Sequence, residues 1–379
     1  MKTGVANLPL HPGRCPPWLF KRMKVLSGKI SELIINEYGT KELLRRLSDP
    51  YFFQSLACVI GFDWHSSGTT TTTCGALKES LNKLNTGIQV AGGKGACSRK
   101  TPYEIMQSEL STKKIKNLVY ASKIAAKVDN SVLQDGFQLY HHSFFFDAKG
   151  NYAVVQQGMN NQPRHQPDMF GCQGQFARRY HWMSDKITDF VEEPHNAVCC
   201  NTKTKALNLT AKKSRQTRKI SLDLVKDNPV HIYKHFTNQS SLTEFLPRLN
   251  SSKFKNLNMT ARHWIRNMDL TKRDKEVLEK AYQIQPRNYE ELVSLRGMGP
   301  KRIRALALVS DLVYGSEASW KDPVKYAFAH GGKDGTPRPV GRKEYDNTIK
   351  FMKDAIYQAR LGETDRVQAM RRLQNLAET

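Results

Sequence analysis

Apolar residues recur at helical spacing through the first part of the chain. Over residues 18–38, Leu19, Met23, Leu26, Ile30, Leu33 and Ile34 keep a three-to-four-residue period, which predicts an amphipathic helix. Thr40 stands where a cap is expected, and Leu43, Leu44 and Leu47 predict a short helix stopped by Pro50. Further helices are predicted over 75–84, 102–110 and 113–128, the last with Ile115, Leu118, Val119, Ser122 and Ala126 along one face. A short strand over 88–91 ends at Gly92 and Gly93. The period then changes. Residues 137–146 and 151–157 are rich in aromatic and β-branched side chains, and Asp147-Ala148-Lys149-Gly150 between them predicts a hairpin turn. Another helix is expected over 174–182.

Beyond residue 220 the pattern is helical throughout: 242–249, 260–268, 272–284, 289–295, 300–314, 322–329, 345–360 and 365–376. The fold class expected is therefore α+β. A mixed domain with a β-hairpin (1–200) is followed by a basic linker (201–221) and an all-helical domain (222–379). The linker expectation rests on charge. No Asp or Glu lies between Pro194 and Leu222, a stretch that holds Lys203, Lys205, Lys212, Lys213, Arg215, Arg218 and Lys219. An ordinary exposed loop has the same look.

Composition sharpens this picture. The 379 residues carry 59 Lys+Arg against 35 Asp+Glu, a formal net charge of +24, which points to a polyanionic partner. No secretory signal is visible at Met1, and no apolar run is long enough to span a bilayer. Seven cysteines without framework spacing suit reduced thiols in a cytoplasmic, nucleoid-associated protein.

The most specific local signal runs from Leu292 to Leu306, with Arg296-Gly297-Met298-Gly299-Pro300-Lys301 at its centre. Gly297 and Gly299 permit a tight turn and close approach to a phosphate, and Pro300 suits the first turn of a helix. Leu292, Leu295, Met298, Ile303, Leu306 and Leu308 would pack the two helices together. The pattern resembles the helix-hairpin-helix motif of DNA-repair and DNA-processing proteins. That resemblance implies a sequence-independent, salt-sensitive grip on the DNA backbone through Arg296, Gly297, Gly299, Lys301, Arg302 and Arg304. Such a motif names a contact mode and no reaction. RNA stays open as a partner, and no membrane is implicated. One subclass, the base-excision glycosylases, carries an Asp about 20 residues past the hairpin. Asp322 stands at such a distance and Lys301 where a lyase-type Lys would be, although the flanking residues match poorly.

Candidate chemistry is concentrated earlier. Asp63, His65, Asp135, His141, His142, His165, Asp168 and His181 crowd the mixed block. On a strand, His141 and His142 face opposite sides, and either one taken singly is more readily a packed or solvated histidine than a functional one; it is the number of such groups in one block that points to function. The catalytic set expected is Asp63, His65, Asp135, His141 and His142, serving a divalent metal (Mg²⁺ or Mn²⁺) or general-base chemistry. Gly93, Lys94 and Gly95 form a candidate anion nest, and the threonines of residues 69–73 offer hydroxyls before a helix. The spacing of a Walker motif is missing, so no nucleotide cofactor is expected. His181, His195, Cys199, Cys200 and Cys172 lack zinc-site spacing.

Gly61-Phe62-Asp63-Trp64-His65-Ser66-Ser67-Gly68-Thr69, residues 132–143, Leu10-His11-Pro12-Gly13 and Ala177-Arg178-Arg179-Tyr180-His181-Trp182 together resemble the domain of unknown function 763 family of archaeal and bacterial proteins. The resemblance extends over most of the chain and implies no established activity. Three readings remain. One is a metal-dependent nuclease or related DNA repair enzyme. The second is a non-catalytic DNA-binding or repair accessory protein. The third is a base-excision enzyme resting on Asp322 and Lys301.

Overall fold

The computed structural model describes residues 15–61, 68–160, 176–200, 205–229 and 271–324. Asp63, His65, His165 and Asp168 lie outside them. So do the predicted helices over 242–249, 260–268, 345–360 and 365–376, and most of 322–329.

Four helices open the fold: α1 (Pro17–Tyr38), α2 (Thr40–Leu47), α3 (Pro50–Val59) and α4 (Gly68–Leu84). Leu43, Leu44 and Leu47 are fully buried, as their spacing predicts. Thr40 is not the cap of α2; that position is Gly39. The Thr40 hydroxyl instead donates to Asp147 Oδ2 at 3.0 Å, pinning α2 to the hairpin turn. Asp49 caps α3 by accepting from the Tyr51 and Phe52 amides. The threonine run, expected to precede a helix, lies inside α4, where Thr69, Thr70 and Thr73 are buried and hold out no hydroxyls to solvent.

A five-stranded antiparallel sheet follows, in the order β1-β3-β4-β5-β6. Its strands are β1 (Ile88–Lys94), β3 (Gln138–Asp147), β4 (Tyr152–Asn160), β5 (Phe176–Met183) and β6 (Ala197–Cys200). The described part of the segment expected as a helix, residues 176–182, is thus a strand and not a helix. Its side chains alternate between two covered faces, and the buried Arg178 and Arg179 break the apolar pattern that would have marked it as one. Phe145, Val155 and Met183 pack toward α1–α4, in a cluster with Leu43, Phe53 and Leu77. Phe144, Phe146, Val154 and Trp182 join the cluster on the other face.

That second cluster takes in side chains of α6 (Thr101–Met106) and α7 (Thr112–Lys127), while the short α5 (Ala96–Arg99), with no buried residue, lies against β1 and β3. A π-turn, Val128–Val132, closes α7. The small sheet of β2 (Leu133–Gln134) and β7 (Leu207–Asn208) leads to α8 (Arg215–Lys226). Three more helices complete the described residues: α9 (Lys272–Ile284), α10 (Tyr289–Ser294) and α11 (Pro300–Tyr314). One hydrophobic cluster contains Leu118, Val128 and Leu133 together with Leu292, Met298 and Leu306. The described part of the expected linker is folded into it. Arg218 is buried, donates to the Leu209 and Ala211 carbonyls at 2.6 and 3.0 Å, and pairs with Glu192. Its charge meets an acidic partner that lies outside the acid-free stretch.

Candidate active site

The first histidine pair of β3 divides between the two faces of the sheet. His141 faces the α1–α4 side, where its Nε2 lies 3.0 Å from Ser143 Oγ. Burial, aided by His142 and Lys94, pushes its pKa down to about 3. His142 faces the other side and meets α7. Its Nε2 is 2.9 Å from Ser122 Oγ, and its Nδ1 is 2.8 Å from Gln156 Oε1.

Gln156 is the direct cross-strand neighbour of His142. Its amide nitrogen donates to Asp129 Oδ2 at 2.5 Å, which turns Oε1 toward the imidazole. Asp129 sits in the π-turn, fully buried, and is held further by Trp182 Nε1 at 2.9 Å and by His195 Nε2. The amide orientation fixes the tautomer: Nδ1–H donates to Gln156, and Nε2 accepts from the Ser122 hydroxyl. Burial lowers the His142 pKa, so the ring is neutral at pH 7. A hydroxyl, a base and a group orienting the base are the parts of an activated nucleophile.

Ser122 and His142 open on a cleft of about 570 Å³. Arg99, Lys123 and Lys127 bring positive charge to its wall, and Tyr120, Leu139 and Tyr140 line it as well. Ser294, the last residue of α10, reaches the same cleft and joins it to the glycine turn.

Gly297 adopts φ +94°, where a Cβ would lie 2.8 Å from Val277 Cγ2, and Pro300 occupies the first turn of α11. Arg296 and Gly297 are exposed and Gly299 is half-buried. Lys301 and Arg302 pair with Asp274 of α9 at 3.0 and 2.7 Å. Arg304, expected at the surface as a phosphate contact, is not exposed. It is buried against the core, 3.4 Å from Gln134 Oε1, and burial lowers its pKa to about 10.

Other expected site residues have structural partners. Asp135 accepts from Arg178 Nη1 at 2.9 Å, Tyr180 Oη at 2.7 Å and the Phe137 amide at 3.0 Å. Asp322 accepts from both terminal nitrogens of the same guanidinium, at 3.1 and 2.7 Å, and is remote in role from Lys301. Asp135, His141 and His142 therefore share no point at which they could hold one metal ion. Among the described residues no group of three or more His, Cys, Asp or Glu forms a cation site. Gly93, Lys94 and Gly95 do not form an open nest either. The Gly95 amide donates to Tyr140 O at 2.7 Å, and the neighbouring Gly92 amide donates to the Glu104 carboxylate at 2.7 Å. His181 bonds the Leu47 carbonyl, and Cys199 and Cys200 face opposite sides of the sheet.

Ser122, Asp129 and Gln156 were not singled out as site residues by sequence reasoning, and His195 was weighed only as a zinc ligand. Their signal was polar residues at core-facing positions, Ser122 in the apolar register of α7 and Gln156 after Val154 on β4. Among the described residues no helix is long and apolar enough to cross a membrane.

The family model described as a protein of unknown function, DUF763, matches residues 4–340. The chain belongs to that family. The searches of curated proteins and of solved structures give no match.

Proposed function

We propose that this member of the family is a nucleic-acid-processing enzyme in which Ser122, activated by His142, attacks a backbone phosphodiester. The observation that carries the reading is the Ser122–His142–Gln156–Asp129 chain of hydrogen bonds opening on a cation-lined cleft. The net charge of +24 supports a polyanionic substrate. The glycine turn beside the cleft supports a helix-hairpin-helix grip on the backbone through Arg296 and the main chain from Gly297 to Pro300. The proposed role of the motif is to hold a strand while the cleft receives the scissile group.

In the reaction His142 Nε2 takes the Ser122 proton as Oγ bonds to phosphorus. The P–O bond to the leaving strand breaks, and His142 returns the proton to that oxygen. Water then hydrolyses the serine phosphodiester by the same proton path. Gln156 and Asp129 hold the ring and its tautomer. Lys123 and Arg99 supply positive charge toward the phosphoryl oxygens.

The test is incubation with labelled single-stranded, duplex and flap DNA and with RNA, in EDTA, Mg²⁺ or Mn²⁺. Denaturing gels and intact protein mass are read in parallel. Cleavage in EDTA with an oligonucleotide adduct on Ser122 is the expected result. Cleavage that needs metal and survives Ser122→Ala would overturn this chemistry in favour of a metal-dependent nuclease using Asp63 and His65. Salt-sensitive binding with every strand intact would leave a non-catalytic binding protein.

A further inference from the structure

Lys127, the last residue of α7, directs its ammonium away from the sheet and into the glycine turn. Its Nζ lies 3.1 Å from the Val293 carbonyl oxygen, 2.8 Å from that of Leu295 and 2.9 Å from that of Met298. The three N–H bonds of an ammonium thus meet three acceptors. These carbonyls come from the end of α10 and the turn itself, where main-chain oxygens lack helical partners and carry the negative end of the dipole. Leu295 is in an extended conformation, without the left-handed cap that commonly satisfies such groups. A side chain from a distant helix meets them instead, and the Leu295 oxygen also accepts from the Met298 amide at 3.1 Å.

Three converging carbonyl oxygens make a cage for a small monovalent cation, and the cage is filled from within the chain. Ser122 lies five residues earlier on the same helix, about 7.5 Å along its axis. The fold supplies further struts between the same two parts: Gln134 Nε2 donates to the Pro300 carbonyl at 2.8 Å, and the Tyr120 hydroxyl donates to Glu290 of α10. Two charged side chains meet the turn carbonyls: Arg302 of α11 donates to that of Gly297, and Lys127 of α7 reaches those of Val293, Leu295 and Met298 from the helix that carries Ser122.

We infer that Lys127 is a positioning residue: its ammonium is the resident cation of a carbonyl cage, and it sets the glycine turn at a fixed place relative to Ser122. The inference rests on the reading of the turn as a backbone grip. Burial, with Arg302 nearby, draws the Lys127 pKa down to about 8, and the three acceptors keep the ammonium form in place at neutral pH.

The experiment uses the full chain with Lys127→Ala and Lys127→Met. Binding of a labelled oligonucleotide and the melting temperature are measured at one ionic strength in ammonium, potassium or tetramethylammonium chloride. In tetramethylammonium, Lys127→Ala is expected to bind at least about tenfold more weakly than the parent, roughly 1.4 kcal/mol. Ammonium or potassium, small enough to enter the cage, should restore most of that loss and raise the melting temperature of this variant alone. Lys127→Met fills the space without charge and should stay weak in every salt. Either variant binding like the parent in tetramethylammonium overturns the inference. So does a folded Lys127→Ala protein whose loss is the same in all three salts. If the parent binds no nucleic acid, the functional reading fails separately, and the cation-specific melting shift of Lys127→Ala still decides whether the cage exists.

Discussion

Arg178 offers the sharpest test of how the two halves of the chain are joined. Its guanidinium is fully buried on β5, between Asp135 just after β2 and Asp322 just after α11. Asp135 and Asp322 are themselves nearly inaccessible, and Phe137 stacks beneath the guanidinium with Cζ 4.4 Å from the ring centroid. Replacing Arg178 with Met keeps the packing volume and strands two carboxylates in the core. Removing one partner of a buried pair costs about 3–5 kcal/mol, because an uncompensated charge is left behind. For a chain of this size that is a fall in melting temperature on the order of 10 °C. Urea unfolding should show the full loss in Arg178→Met. The triple variant Arg178→Met with Asp135→Asn and Asp322→Asn should recover more than about 1 kcal/mol of it, since the stranded charges are gone. An Arg178→Met protein within 1 kcal/mol of the parent would refute the buried network as a tie between β5 and the segment after α11. It would also free Asp322 for another role.

Gly297→Ala places a Cβ at φ +94° and 2.8 Å from Val277 Cγ2, so a loss of about 1–3 kcal/mol is expected in thermal melts, together with weaker nucleic-acid binding. Gln156→Leu removes the acceptor that fixes the His142 tautomer; turnover should fall about 10²-fold or more with oligonucleotide binding unchanged, and unchanged turnover would show that the amide does not orient the base. Acid should destabilise the protein through His141, His142 and His181, whose pKa values burial lowers below the ordinary 6.5. A base with a depressed folded pKa contributes stability that is complete above its unfolded pKa and is lost as pH falls toward the folded one. For His141, with a folded pKa of about 3, the loss by pH 5 is about 2 kcal/mol, so a melting temperature that is flat from pH 7 to 5 would contradict the burial of these rings.

Much of this architecture was legible in the sequence. Helices α1, α2, α4, α6 and α7 overlap the segments their apolar spacing predicts, α3 was not foreseen beyond the Pro50 that opens it, and the hairpin follows its turn chemistry. The turn at Asp147 to Gly150 also sets a register in which His142 faces Gln156, so the heart of the candidate site was implied by the loop length. What concealed it was residue type. A glutamine on a strand and a serine on a helix face carry no motif of their own, and their role appears only when α7 is laid across the sheet. Strand β5 was hidden because two buried arginines interrupt its apolar pattern. The carboxylates that neutralise Arg178 lie 43 and 144 residues away, so no local reading would pair them. Charge misled for the same reason. Arg218 and Arg304 read as surface cations, yet each is buried on partners from elsewhere in the chain.

The central claim is that Ser122 and His142 carry out the chemistry while the glycine turn and the surrounding cations hold the strand. Single-turnover cleavage of a labelled oligonucleotide by the parent, Ser122→Ala and His142→Ala, with affinity measured on the same samples, tests it most directly. Both substitutions should lower the cleavage rate by about 10²–10⁴-fold and leave affinity within about threefold of the parent. Cleavage by Ser122→Ala at the parent rate would contradict the claim.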